Sequence, residues 1–265
     1  MKILFVGDVV GRPGRKALDK RLIPVLEERG IDLCVANAEN AAAGSGITPP
    51  LVEELLHLGI EVLTSGNHIW DKKEILEYIP HQPHLLRPAN FAPTVPGSGV
   101  YLGKIHQTIP FAVINLQGRV FMPPTDCPFR TADRILSELP GEVRLILVDF
   151  HAEATAEKQA MGWYLDGRVT AVLGTHTHIP TADEMILPEG TAYITDVGMT
   201  GPHDSVIGVD KGIIVAKFLN QIPAKFETAI ADVRINAVEI EVDTDTGRAL
   251  SIQRLCWKIN DVGKG

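Results

Sequence analysis

The chain has 265 residues, 45% hydrophobic and 22% charged, with a formal net charge of −8 and three cysteines. Such a composition can bury a large core. The acidic balance and the lack of any Lys/Arg-rich run argue against a broad grip on duplex nucleic acid. An odd cysteine count without a CxxC pair suits reduced thiols in a cytoplasmic protein, and no apolar run reaches membrane-spanning length.

In chain order, "KILFVG" is a short apolar run closed by Gly7-Asp8, read as a buried strand rather than a signal-peptide core. "GRKALDKRLIPVLEERG" has helical apolar spacing and a glycine stop. Strand "DLCVAN", helix "PPLVEELLHLG", strand "VLTSG" and a helix near "KKEILEYI" follow. This alternation predicts a largely parallel, doubly wound sheet in the first third. "GVYLGKIHQTIPFAVINLQGRVF" reads as two strands and a turn, "TADRILSEL" as a helix and "VRLILVDF" as a buried strand. "KQAMGWYLDG" reads as a helix and "VTAVLGTH" as a strand. The remaining segments, "TAYITDVG", "KGIIVAKFL" and a hairpin around "DTDTG", read as mainly antiparallel strands. The expectation is one α/β domain with two sheets, or one mixed sheet, covered by helices.

Polar residues collect where these strands end. Asp8 closes the first; Glu39 and Asn40 follow the second, Asn67 and His68 the third. His151 ends the strand before the central helix, and His176 and His178 end the next. The carboxyl ends of parallel strands share one sheet edge, where ligands bind. Carboxylate, carboxamide and neutral imidazole are the donors that hold Mn, Fe or Zn. His176 and His178, two apart, project to one side of an extended chain, about 6.6 Å apart along it. Glu39 has two oxygens and could bridge two ions about 3.5–4 Å apart, an arrangement that activates water and clamps a phosphoryl group. Each piece alone also has an ordinary reading. Gly-Asp makes turns, Asn and His cap helices, and a single His after Asp149 is commonly structural. The conjunction at strand ends is what points to a metal centre. Arg12 and Arg15 in "GRPGR" are read as an exposed helix start rather than as phosphate ligands, and Asp149 as the partner that orients His151.

With those residues in place, the chain resembles the calcineurin-like metallophosphoesterases. "GNH" (Gly66–His68), the lone His151 and "GTHTH" (Gly174–His178) match that pattern. Two motifs depart from it: Val9 and Val10 follow Asp8 where a histidine is usual, and "NAEN" replaces a Gly-Asp block. "GDVVGRPGR", "NAENAAAG", "TSGNHIWD" and "YITDVGMTGP" together resemble the YmdB-like bacterial phosphodiesterases.

The resemblance implies a single metallophosphoesterase domain over residues 1–265, with mixed β-sheets in a sandwich flanked by helices. It implies two metal ions, Fe or Mn ahead of Zn. Asp8, Asn40 and His178 would hold one, Asn67, His151 and His176 the other, with Glu39 between them. His68 would stay off the metals and act as general acid, while a hydroxide between the ions attacks phosphorus. The substrate would be a small phosphate ester, a cyclic nucleotide and foremost a 2′,3′-cyclic one, hydrolysed in the cytoplasm without membrane or duplex nucleic acid as partner; a homo-oligomer stays open. A phosphomonoesterase or phosphoprotein phosphatase on the same site is the alternative enzyme. A nucleotide-binding regulatory protein with weak hydrolysis is the alternative outside catalysis.

Overall fold

A computed structural model of the chain describes residues 1–260. Its first third contains β1 (Lys2–Val6), β2 (Asp8–Val9), α1 (Gly11–Arg29), β3 (Leu33–Asn37), α2 (Pro49–Leu56), β4 (Val62–Thr64) and α3 (Ile75–Tyr78). The middle contains β5 (Val100–Ile105), β6 (Ile109–Gln117), α4 (Pro128–Glu138), β7 (Leu145–His151), α5 (Thr155–Leu165) and β8 (Ala171–Thr175). Then come β9 (Met185–Ile186), β10 (Ala192–Ile194), β11 (Met199–Pro202), α6 (Lys211–Asn220), β12 (Val233–Val242) and β13 (Ala249–Lys258).

Two sheets stack. The first runs β2-β11-β12-β1-β3-β4, with β13 also paired to β12; β1, β3 and β4 are parallel, and β12 is antiparallel to β1 and β13. The second runs β5-β6-β7-β8-β10-β9. In it β6, β7, β8 and β10 are parallel, with antiparallel β5 and β9 at the edges.

Side-chain alternation sets the layers. In β1, Leu4 and Val6 pack with Ala17, Leu18 and Leu22 of α1. Ile3 and Phe5, pointing the other way, join Val113, Leu147 and Leu173 of the second sheet. The outer face of that sheet, with Ile114, Val148 and Val172, packs on Ile135 of α4 and Met161 of α5. The order is therefore helix, sheet, sheet, helix. Both faces of the central strands are apolar, as their unbroken hydrophobic runs require.

Two expectations are corrected. Lys211–Leu219 is helical, within α6, because the Asp210 side chain accepts a hydrogen bond from Ile213 N at 3.1 Å and caps the first turn. The β-branched run Ile213–Val215 favours a strand locally, but among the described residues it meets no sheet edge. "TAYITDVG" supplies β10, which runs parallel to β8, and β11 is parallel to β2. The α1 helix also starts at Gly11, inside "GRPGR", and ends as expected at Gly30 in the left-handed region, φ 62°. Among the described residues, no helix is long and apolar enough to cross a membrane.

Candidate metal centre

The face that is apolar between the sheets turns polar at the strands' carboxyl ends. Leu145 and Leu147 are followed on the same side of β7 by Asp149 and His151, Leu33 and Val35 on β3 by Asn37, and Leu173 on β8 by Thr175. All four of these polar residues are buried. Asp149 anchors the layer: its carboxylate accepts from Thr64 Oγ1, from Asn37 Nδ2 at 3.0 Å and from Thr175 Oγ1 at 2.7 Å. Asn37 Oδ1 then accepts from Glu39 N at 3.2 Å, fixing the chain beyond β3.

The Thr175 hydroxyl has one hydrogen and gives it to Asp149, so toward His151 it can only accept. His151 Nδ1, 2.9 Å away, therefore carries a proton and donates it. Its other nitrogen faces a crowd. Glu39 Oε1 lies 3.0 Å from His151 Nε2, Asn67 Oδ1 3.1 Å and His176 Nδ1 3.0 Å. One N–H could satisfy one of these neighbours; a cation would satisfy all four donor atoms together. Ligand atoms of Glu39, His151 and His176 all lie within 4.8 Å of one another.

A second set lies beside the first. Asp8 is wholly buried; its Oδ2 accepts from His176 N at 3.2 Å, while Oδ1 is buried with no hydrogen-bond partner. His178 Nε2 is 3.9 Å from that orphan oxygen. Its Nδ1 donates to Ile207 O at 2.8 Å, which leaves Nε2 as a lone pair. The Asn40 carboxamide lies 3.1 Å from His178 Nε2 and 3.3 Å from Glu39 Oε1 through Nδ2. A half-turn of that amide presents Oδ1, the donor a metal takes, at the same spot.

The electrostatics ask for positive charge. Burial opposes ionisation of Glu39, but His151 and His68 outweigh it and hold the carboxyl down to about 2. Burial pushes Asp8 up to about 6 against the pull of His178 and His151. Burial also opposes charge on His151, yet Glu39, Asp8 and Asp149 push it up to about 9. His176, largely desolvated though not fully buried and beside that imidazolium, is lowered to about 3. A buried orphan carboxylate oxygen and converging N and O donors fit divalent metal ions.

The backbone is bent to build this. His176 and His178 have φ of 100° and 67°, sparsely populated for residues with a side chain. Asp196 holds the loop between them: its carboxylate accepts from Thr177 N at 3.1 Å, Thr177 Oγ1 at 2.8 Å and Gly198 N at 2.8 Å. Lys158 of α5, buried, donates to Asp196 Oδ2 and Thr175 O, each at 2.7 Å. Gly66 is needed for another reason. A Cβ there would lie 2.1 Å from His151 Cδ2.

His68 is half exposed. Its N–H donates to Glu39 Oε2 at 3.0 Å, and Nδ1 meets Asp71 Oδ2 at 2.8 Å and Ser45 Oγ at 3.3 Å. With Glu39, Asn40, His176 and His178 it lines a cavity of about 540 Å³. All eight residues expected at strand ends thus meet around one cavity and its floor. Arg15, by contrast, is taken up by Glu54 at 2.7 Å and Ala41 O at 3.1 Å. Asp71, Thr175, Lys158, Asp196 and Glu153, whose Oε2 is 3.1 Å from His176 Nε2, escaped the sequence reading. Only the His68-x-x-Asp71 spacing carried a usable signal, since a helical lysine and an acid after a strand ordinarily face solvent.

The YmdB-like protein family's sequence profile matches residues 4–255. The chain belongs to the YmdB-like family. It is 48% identical over 262 residues to a protein of Bacillus subtilis (strain 168) described as 2′,3′-cyclic-nucleotide 2′-phosphodiesterase, covering 98% of each. A crystal structure from Mycoplasma pneumoniae, described as a novel phosphatase, superposes with a TM-score of 0.92 at 34% identity, covering 97% of this chain and 93% of that one. A calcineurin-like phosphoesterase of Bacillus subtilis shares the fold at TM-score 0.58 and 10% identity, covering 100% and 92%.

Proposed function

We propose that the chain is a metal-dependent phosphodiesterase that opens 2′,3′-cyclic nucleotides. The observation that carries the reading is the crowding of Glu39, Asn67 and His176 donor atoms around His151 Nε2, each within 3.1 Å. Asp8, Asn40 and His178 would hold one ion and Asn67, His151 and His176 a second, with Glu39 between them. Fe or Mn suits this mixed oxygen and nitrogen set, and Zn is admitted. When bound, such ions supply a nucleophile from water at neutral pH and neutralise charge on the phosphoryl oxygens.

His68 is the general acid. Asp71 holds its Nδ1, leaving Nε2 to protonate the departing ribose oxygen of a substrate in the cavity. Opening a 2′,3′-cyclic phosphate needs one such proton, because the product keeps its phosphate on the other ribose oxygen. The description of the Bacillus subtilis relative supports this substrate class. Three free thiols, Cys34, Cys127 and Cys256, support a reducing, cytoplasmic setting.

Metal analysis of the purified protein, alongside assays with 2′,3′-cyclic AMP, bis-p-nitrophenyl phosphate and p-nitrophenyl phosphate with added Mn or Fe, tests the reading. Turnover of neither diester refutes it. The phosphatase description of the Mycoplasma pneumoniae structure favours a second reading, a monoesterase; faster turnover of p-nitrophenyl phosphate than of either diester would select it.

A further inference from the structure

A second cavity lies against Asn67. It measures about 240 Å³, and Asn67, Trp70, Phe91, Gln117, Pro123 and Thr125 are among its lining residues. That is smaller than the roughly 300–1,000 Å³ of sites for drug-sized ligands and suits a single ring system. The Trp70 and Phe91 rings, with centroids 6.4 Å apart and planes at 43°, form an aromatic wall.

Gln117 gives the cavity its chemistry. It is wholly buried, and Asn90 holds its backbone through N to Asn90 Oδ1 at 2.9 Å and through Gln117 O, which accepts from Asn90 Nδ2 at 2.7 Å. Gln117 Nε2 donates to Pro123 O at 3.4 Å. A carbonyl can only accept, so the amide cannot be turned over. Its Oε1 is then left buried with no hydrogen-bond partner, a state costly enough that native structures seldom keep it without a reason. Thr125 Oγ1 accepts from Asn90 Nδ2 at 2.9 Å and keeps its own hydrogen to donate. An acceptor and a hydroxyl beside aromatic rings match a planar nitrogen heterocycle.

We propose that this cavity takes the nucleobase of the substrate, its ring against Trp70 and Phe91 and an N–H of its edge donating to Gln117 Oε1. The inference rests on the phosphodiesterase reading. Asn67 links the two sites: its Oδ1 is 3.1 Å from His151 Nε2, and the same side chain lines the cavity.

The metal-loaded protein would be assayed with 2′,3′-cyclic AMP and with glycerol 1,2-cyclic phosphate, which keeps the five-membered cyclic ester but has no base. The wild type is expected to prefer the nucleotide. Gln117→Leu and Trp70→Leu are each expected to cut that kcat/KM ratio about tenfold, the loss of one buried hydrogen bond or stacking contact. A wild type without the preference, or variants that lower both esters in proportion, would overturn the inference. Adenosine, which carries no phosphate, tests the cavity apart from hydrolysis. It should quench tryptophan fluorescence in the wild type and not in Trp70→Leu, where Trp163 and Trp257 remain. Quenching without any ester turnover supports the base site while the esterase reading fails. Absent quenching, or equal quenching in Trp70→Leu, refutes the base site.

Discussion

Lys158→Met should loosen the loop that presents His176 and His178, though Lys158 touches neither ring. Its ammonium and the Asp196 carboxylate are each about 1% exposed and 2.7 Å apart. Methionine keeps the volume but leaves Asp196 buried with hydrogen bonds and no counter-charge, and leaves Thr175 O short of a donor. Removing one member of such a pair costs about 3–5 kcal/mol. At about 2–4 °C per kcal/mol for a chain near this size, the melting temperature should fall by about 6–20 °C. The loop has its own reason to relax, because residues at unfavourable φ store about 1–3 kcal/mol each. Melts of the metal-free protein, with metal content measured separately after loading, give both readouts. Adding Asp196→Asn removes the uncompensated charge and should recover at least about 1 kcal/mol, making the pair less than additive. A Lys158→Met protein that melts within about 2 °C of the wild type and loads metal fully would refute the reasoning, as would strict additivity.

Gly66→Ala should displace the His151 ring, which a Cβ would meet at 2.1 Å, and should lower metal content by calorimetry more than it lowers the melting temperature. His68→Ala should lose about 10²–10⁴-fold in kcat on a cyclic diester with metal content unchanged, the usual worth of a general acid; full turnover would remove the role. Asp71→Asn should give a smaller loss with the same metal content, because Asp71 acts by holding His68 Nδ1. Metal uptake should strengthen as pH rises, since binding must displace protons. His151, pushed up to about 9, holds one below that pH, and Asp8, pushed up to about 6, gains another below pH 6. The log of the Mn affinity should therefore steepen below about pH 6, and a pH-independent affinity from 5 to 9 would contradict the assignment.

Much of this was readable from residues because strand-end donors announce themselves. Glu39 and Asn40 follow an apolar run with no packing reason for a carboxylate, and "GTHTH" puts two imidazoles in a turn. Parallel topology then brings such ends to one edge whatever their separation in sequence. Partners that work through a third residue were hidden. Thr175 reads as an ordinary strand residue, yet its single hydroxyl hydrogen decides which nitrogen of His151 is free. Lys158 lies on a helix with weak apolar patterning, and its burial depends on a loop 38 residues away. The α6 error has the opposite origin: a local β-branched run suggested a strand, and the Asp210 cap together with the missing sheet edge decided for helix.

The polar layer also explains why so buried a site can hold charge. Each strand contributes apolar side chains to the inter-sheet core over its first residues and a polar one on the same face at its end, so the donors inherit the rigidity of the packing beneath them. Asn37, Thr64 and Thr175 surround Asp149, whose carboxyl burial pushes up while its hydrogen bonds pull down. Asp149 in turn fixes Thr175, and Thr175 fixes His151. Asp8 and His151 stand on strands, and Asp196 with Lys158 pins the loop that carries His176 and His178. These donor positions are therefore set before any ion binds, and rigid spacing of that kind favours selection by geometry over selection by affinity.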